Sequence, residues 1–208
     1  MKQKAHNIIY LIFLFLFFPT ICFSQKMIYV YCPSDIEIPA NDGKLSGSKI
    51  NLVINDIRNL PENSKVECDS EEIKRILAES IINSFPSSII NYVNEAPELR
   101  EGHYTVTVNI TAYHSASGTA ATEAIGSSGD DFSWGALPAN RWNSVAGYHV
   151  IIESTDGNTV KKQSRNIANV VSRPNIGGSL TSKKALSEAY TEARRELLFF
   201  IESTLTSK

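Results

Sequence analysis

The clearest secondary structure of the chain is a strand at residues 103–114, where apolar and polar side chains alternate. The apolar positions are Tyr104, Val106, Val108, Ile110 and Ala112, with threonines and an asparagine between them. A period of two places one face of a strand against a core and leaves the other in water. Alternation of the same kind predicts a strand at Ile50–Asn55.

A hairpin is predicted in the second half of the chain. Residues 145–154 and about 159–171 form two strands, and Thr155-Asp156-Gly157-Asn158 joins them. Asp-Gly accepts the positive backbone dihedrals that a tight turn requires. Near the amino terminus, Lys26–Cys32 reads as a further short strand, followed by a linker at residues 33–48 that contains prolines and glycines.

Two segments show helical periodicity. Asp69, with Glu72 three residues later, forms an N-cap close to a capping box, and the helix that follows ends before Pro86. Its apolar stripe comprises Ile73, Ile76, Leu77, Ser80, Ile81, Ser84 and Phe85. A longer amphipathic helix starts near Ser182, with its stripe formed by Leu186, Ala189, Tyr190, Ala193, Leu197, Phe200, Ile201, Thr204 and Leu205. Residues 89–93 suggest a further helical turn.

This order of elements predicts an α+β fold: an antiparallel sheet of about four strands with two amphipathic helices packed on one face. A single α+β domain is expected at residues 49–208, preceded at 25–48 by the N-terminal strand and linker.

The first 24 residues read as a secretory signal peptide. Lys2 and Lys4 precede a nearly unbroken apolar run from Ile8 to Phe18, which is shorter than the roughly 20 residues that a membrane span needs. The protein is therefore expected to be periplasmic, envelope-associated or secreted. We expect membrane association, if any, to occur without a transmembrane segment in the mature chain.

Cleavage is expected between Ser24 and Gln25, because Cys22 and Ser24 supply small side chains at the two positions that signal peptidase selects. Cys22 resembles a lipid-attachment cysteine, but the bulky Ile21 before it disfavours lipidation.

The net charge of the chain indicates which classes of partner it can bind. The chain has 20 basic and 22 acidic residues and a formal net charge of −2 at pH 7. The predicted leader carries basic residues and no acidic ones, so the exported part is more acidic still. Nucleic acids and anionic membrane surfaces favour a basic stripe. The sequence therefore predicts no nucleic-acid partner.

Two cysteines, Cys32 and Cys68, remain after the predicted cleavage. Export permits oxidation, and a disulfide between them would close a loop of about 36 residues, worth on the order of 3 kcal/mol. Two unpaired thiols are an equally good interpretation, because two cysteines define no framework. No motif indicates a metal or a cofactor, and none is expected.

The pattern resembles a known family group. A strand at Ile50–Asp56 leads into an amphipathic helix, and a Thr/Val strand, the hairpin sequence GYHVIIESTDGNTV and a closing helix with spaced alanines follow. This order resembles small Gram-negative envelope proteins with the fold of the TolB N-terminal domain, such as the lipoprotein activators of penicillin-binding proteins and the curli-secretion lipoprotein CsgG. It is also similar to YajG-type envelope lipoproteins. The resemblance covers roughly residues 49 to 205 and implies a non-catalytic binding or scaffold role in the envelope.

The histidines offer one catalytic alternative. His114 and His149, with Glu153 and the acidic pair Asp130 and Asp131, could form the site of a secreted metal-dependent hydrolase. Alternation along the strands places His114 on the apolar face and His149 on the polar face, so we expect the two to be separated and unrelated.

Residues 115–143 are where function is expected. This long segment joins two predicted strands, is rich in Gly, Ala and Ser, and contains the candidate contact residues Phe132, Trp134, Arg141 and Trp142. Long insertions in compact domains are often functional, and exposed tryptophans make strong contacts. In the alternative, the aromatic side chains fold back and cap the sheet edge.

These observations predict an exported, non-catalytic envelope protein that binds a protein or polymer partner. An oligomeric assembly or secretion subunit is a further alternative, and the oligomeric state stays open.

Overall fold

The computed structural model describes residues 27–33, 45–122, 125, 137–157 and 159–206. The strands are Ile28–Val30 (β1), Lys49–Asp56 (β2), Lys65–Val66 (β3), Ile89–Tyr92 (β4), His103–Ser117 (β5), Arg141–Asp156 (β6) and Thr159–Pro174 (β7). The helices are Ser70–Ser84 (α1) and Gly178–Thr206 (α2), and a 3-10 helix covers Gly118–Thr122.

The strands form one mixed sheet of seven strands centred on β5. One edge of β5 pairs antiparallel with β6, which pairs antiparallel with β7. Its other edge is shared, because β2 runs parallel to its first half and β1 pairs antiparallel near its end. Strands β4 and β3 add parallel pairs to β2 and β1.

The α+β class and the two helices are confirmed, but the expectation of about four antiparallel strands is wrong in number and direction. Residues 89–92 form β4 rather than a helical turn, since a short apolar run does not distinguish helix from strand. Helix α1 lies in the connection between β2 and β4 and returns the chain, so that the two strands are parallel neighbours. The apolar periodicity of a single segment does not predict such pairing.

Helix α1 begins where the capping pattern predicts, with the Asp69 carboxylate accepting a hydrogen bond from the Glu72 amide at 2.8 Å. It ends at Ser84, just before Pro86. Helix α2 begins at Gly178, earlier than predicted. Both helices contribute to one hydrophobic cluster with the same face of the sheet, as the two apolar stripes predict; its members include Ile73, Leu77, Val108, Tyr148, Leu186 and Leu197.

A β-bulge in β5 changes which side chains face the helices. The register with β6 shifts between Ile110 and Ala112, so the alternation reverses at Thr111. Beyond the bulge, small apolar side chains form a second cluster on the face opposite the helices, comprising Ile28, Ala112, Ala116, Ala120, Ala121 and Val145. The 3-10 helix covers this cluster.

An arginine fills the gap between β2 and β1 along the shared edge of β5. The Arg58 side chain is 2% exposed, and its Nη2 lies 2.5 Å from Oδ2 of Asp56. Its Nη1 donates to the carbonyl oxygen of Tyr113 at 3.0 Å. Burial alone would raise the pKa of Asp56, but the hydrogen bonds and the charge of Arg58 outweigh it and hold that pKa below its usual value. Arg58, held in place by Asp56, thus provides the hydrogen bond to the Tyr113 carbonyl of β5 that neither β2 nor β1 provides.

Candidate functional site at the end of the sheet

Segment 115–143 leaves the sheet where β5 ends and β6 begins, and Asn143 holds its base together. The Asn143 side chain is fully buried. Its Nδ2 donates to the carbonyl oxygens of Gly118 at 2.8 Å and of Pro138 at 3.1 Å. Its Oδ1 accepts a hydrogen bond from Ser172 Oγ of β7 at 2.6 Å. One amide therefore ties both ends of the segment to each other and to the neighbouring strand.

Gly118 allows these two ends to approach. It adopts a φ of +61°, and a Cβ atom at this position would lie 2.5 Å from the carbonyl oxygen of Ala139. A side chain would thus meet both a backbone clash and a strained dihedral. Neither Asn143 nor Gly118 is among the predicted contact residues.

Trp142 is buried rather than exposed. Its relative exposure is 8%, and its ring packs edge-on against Tyr29, with centroids 5.5 Å apart. Tyr29 in turn stacks on Tyr31 at 6.0 Å. The position of Trp142 thus agrees with the alternative in which the aromatic side chains fold back and cap the sheet edge.

The other predicted contact residues are placed differently. Arg141 is half-buried, and its Nη2 donates to the carbonyl oxygen of Ser172 at 2.9 Å. Phe132 and Trp134 lie outside the described residues, as do Asp130 and Asp131. Arg141 and Trp142 are successive residues at the start of β6; Arg141 forms a hydrogen bond to the backbone, whereas Trp142 packs against Tyr29.

A buried group of hydroxyls beside this base joins β5, β6 and α2 to Tyr31, the residue that follows β1. Ser144 Oγ and Ser115 Oγ lie 2.8 Å apart, Ser144 Oγ also donates to the carbonyl oxygen of Ser182 at 3.4 Å, and the Tyr31 hydroxyl lies 2.7 Å from Ser182 Oγ. Burial raises the pKa of Tyr31 in spite of that hydrogen bond, which keeps the phenol neutral. Within the described part of the chain these groups bond to one another and to the carbonyl oxygens of Ser182 and Ser179, with no base among them to activate a serine.

A surface cavity of about 280 Å³ opens next to the hydroxyl group. It is lined by Tyr31, Cys32, Tyr113, Leu180, Lys183, Lys184 and Ser187. The ammonium group of Lys183 lies 5.7 Å from the centre of the Tyr31 ring and 3.7 Å from a carboxylate oxygen of Glu67. The cavity therefore combines aromatic walls with positive charge that is partly compensated.

The two candidate histidines lie on the same face of the sheet, contrary to the prediction, because the bulge reverses the alternation between them. His149 pairs with Asn109 and His114 with Val145, which separates the histidines by four residues along β6, or about 13 Å. Among the described residues, no group of three or more His, Cys, Asp or Glu side chains could hold a metal ion.

His114 supports the 3-10 helix. It is fully buried, and its Nε2 donates to the carbonyl oxygen of Ala121 at 2.5 Å. Burial lowers the pKa of the imidazole to about 4, opposed by this hydrogen bond and assisted by the charge of Arg58. The ring is therefore neutral at physiological pH.

We expect acid to weaken the fold through His114. Because the folded-state pKa of about 4 lies below the ordinary 6.5, the unfolded chain binds an extra proton between these values, and the stabilisation present above 6.5 is lost as the pH falls. Lowering the pH from 7 to 5 should cost about 2 kcal/mol through this group. Urea unfolding at both pH values should show a smaller loss for His114→Gln than for the wild type.

His149→Gln provides the matched control, since it changes a histidine on the same face that is only partly buried. Comparison of the two variants separates the contribution of the buried ring from the general effect of replacing a histidine on this face. An unchanged dependence in His114→Gln would contradict the assignment to this buried ring.

In the described part of the chain, no helix is both long and apolar enough to cross a membrane.

Comparison with known proteins gives no family assignment. No family model matches the chain, and no curated protein does. The resemblance to TolB-like envelope proteins therefore stays a prediction.

Some solved structures align with this chain at low sequence identity. A hypothetical protein from Chlamydia trachomatis aligns with a TM-score of 0.49 at 8% identity, covering 78% of this chain and all of that one. An uncharacterised protein aligns with a TM-score of 0.42 at 9% identity, covering 85% of this chain and 98% of that one. A Caulobacter crescentus protein, provisionally described as a lipoprotein, aligns with a TM-score of 0.36 at 12% identity, covering 76% of this chain and 90% of that one. Alignments with TM-scores this low do not indicate a function.

Proposed function

We propose that the protein is an exported, non-catalytic binding or scaffold protein of the bacterial cell envelope. It contacts a protein or polymer partner through segment 115–143. The leader pattern at residues 1–24 and the acidic balance of the chain support export and a partner other than nucleic acid.

The hydrogen-bonded base of segment 115–143 is the main observation in support of this proposal. Asn143 is a fully buried polar side chain that satisfies carbonyl groups at both ends of the segment, and Gly118 provides the close approach. Such a base fixes where the chain leaves and re-enters the sheet. Binding residues are commonly carried on loops that a rigid scaffold positions, and a fixed base reduces the ordering cost of binding.

Surface charge on the β6–β7 hairpin agrees with this class of partner. Lys161 lies 3.2 Å from Asp156, and Lys162 lies 3.1 Å from Glu153. These two lysines are therefore each compensated by a nearby carboxylate, which weakens the positive charge that a nucleic acid would select.

The proposal predicts that the aromatic residues of the segment hold the partner. The double variant Phe132→Ala/Trp134→Ala should weaken binding by about 2 kcal/mol or more, about thirtyfold, because buried aromatic side chains act as interface anchors. Affinity capture from envelope extracts would identify the partner, and titration with that purified partner would measure the loss. The thermal unfolding of the variant should match that of the wild type.

Phe199→Ala is the matched control, because Phe199 is an aromatic residue of α2 with 63% exposure, far along the helix from the end of the sheet. It should bind as the wild type does. Wild-type affinity in the double variant would rule out the segment as the contact surface, and unfolding of the double variant would show that these aromatics belong to the core.

A further inference from the structure

The cysteines Cys32 and Cys68 lie at adjacent ends of a parallel strand pair. Strands β1 and β3 pair Tyr29 with Lys65 and Val30 with Val66. The amide of Glu67 then donates to the carbonyl oxygen of Val30 at 2.8 Å, which continues the pairing beyond β3. Extending this register by two residues places Cys32 opposite Cys68.

The side chains agree with the register. Sγ of Cys32 lies 3.8 Å from the carbonyl oxygen of Glu67, the residue before Cys68, and the Cys32 thiol is among the groups that raise the pKa of the Cys68 thiol. Neighbouring strands lie about 4.8 Å apart, within the range of Cα separations that a disulfide spans. Little backbone movement is needed to join the two sulfur atoms.

We infer that Cys32 and Cys68 form an intramolecular disulfide in the mature protein. The oxidant is another disulfide, that of a thiol oxidase or of oxidised glutathione. The Cys32 thiolate attacks this disulfide and releases one thiolate, and the Cys68 thiolate then attacks Cys32 Sγ and releases the second. The two protons of the cysteine thiols pass to the leaving thiolates, so that two protein thiols are oxidised as one disulfide is reduced.

The exposure of the two cysteines sets this order. Cys32 is exposed and lines the cavity, whereas Cys68 is 1% exposed. Burial raises the pKa of the Cys68 thiol to about 12, so Cys68 reacts only after Cys32 has been activated, and this second step accelerates as the pH rises.

The bond would fasten a weakly held strand. Strand β1 has only two register pairs with β5, at Ile28 and Tyr29, while Cys68 directly precedes the N-cap residue of α1, Asp69. Oxidation would therefore link β1 covalently to the start of α1, and with it the Tyr31 wall of the cavity.

The test exposes the reduced, purified protein to oxidised glutathione at pH 8 without denaturant. The products are quenched with acid, alkylated with N-ethylmaleimide and digested with trypsin. The expected main product joins the peptide Met27–Lys44 to the peptide Val66–Lys74. Persistence of glutathione on Cys32 beside a free Cys68 would overturn the inference. Cys68→Ser should stop at that adduct, which makes it the reference for an unresolved reaction.

This reaction does not depend on export or on a partner, so its outcome is independent of the proposed function. Protein alkylated in intact cells before extraction should also yield the linked peptides, and two separately alkylated peptides there would show that the bond does not form in the cell. Reduction should raise the unfolding equilibrium constant of the oxidised protein on the order of a hundredfold. It should leave the Cys32→Ser/Cys68→Ser variant unchanged.

Discussion

Replacing Arg58 with alanine is expected to lower the free energy of unfolding by about 3 to 5 kcal/mol. The substitution leaves the largely buried Asp56 carboxylate without its cation and removes the donor to the Tyr113 carbonyl. Both partners would then be buried with unmet hydrogen bonds. Urea denaturation of the wild type and Arg58→Ala at pH 7 measures the difference.

Arg75→Ala is the matched control. Arg75 also forms ion pairs, with Glu72 and Glu79, but its side chain is 52% exposed on α1. Exposed pairs contribute about 0 to 1 kcal/mol. Equal and small losses in the two variants would mean that Arg58 does not close the edge of β5.

Trp142→Ala is expected to destabilise the protein by about 3 to 5 kcal/mol, the range for truncation of a buried aromatic residue. The indole packs against Tyr29 of β1 at the start of β6, so its removal opens a cavity where β1, β5 and β6 meet. Thermal and urea unfolding of the purified variant would measure the loss, and any loss of partner binding should follow from unfolding.

Tyr92→Ala controls for the removal of an aromatic residue, because Tyr92 is 41% exposed and should change stability by about 0.5 kcal/mol or less. A stable Trp142→Ala variant that fails to bind would instead make Trp142 an anchor for the partner.

Elements whose structure is determined locally could be predicted from the sequence. The Asp69 cap, the end of α1 before Pro86 and the hairpin turn near Gly157 all depend on residues close in sequence. The pairing of β2 with β5 and β4 could not be predicted in this way, because parallel neighbours are brought together by a crossover.

The bulge shows why face assignments failed in part. Up to Ile110 the alternation of β5 identifies the core side chains correctly, but one extra residue at Thr111 reverses it and places His114 on the face opposite the helices. No feature of the local sequence marks this residue.

The candidate site was only partly accessible to sequence reasoning. The length and composition of segment 115–143 indicated where to look, and aromatic residues were natural candidates for contact. The buried amide of Asn143, which organises the base, carried no sequence signal, because the predicted strand begins only at residue 145 and asparagine is common in loops. Its partners at Gly118 and Pro138 become apparent only in three dimensions.

The shared edge of β5 has a consequence for the order in which the sheet assembles. Strand β1 comes first in the chain, yet Ile28 pairs with Ala116, far downstream. By contrast, residues 118–140 join β5 to β6, and a two-residue turn joins β6 to β7. Loops that close between distant residues form late because of their entropy cost. We therefore expect β1 to join the sheet after β5 and β6 have paired, although it is synthesised before them.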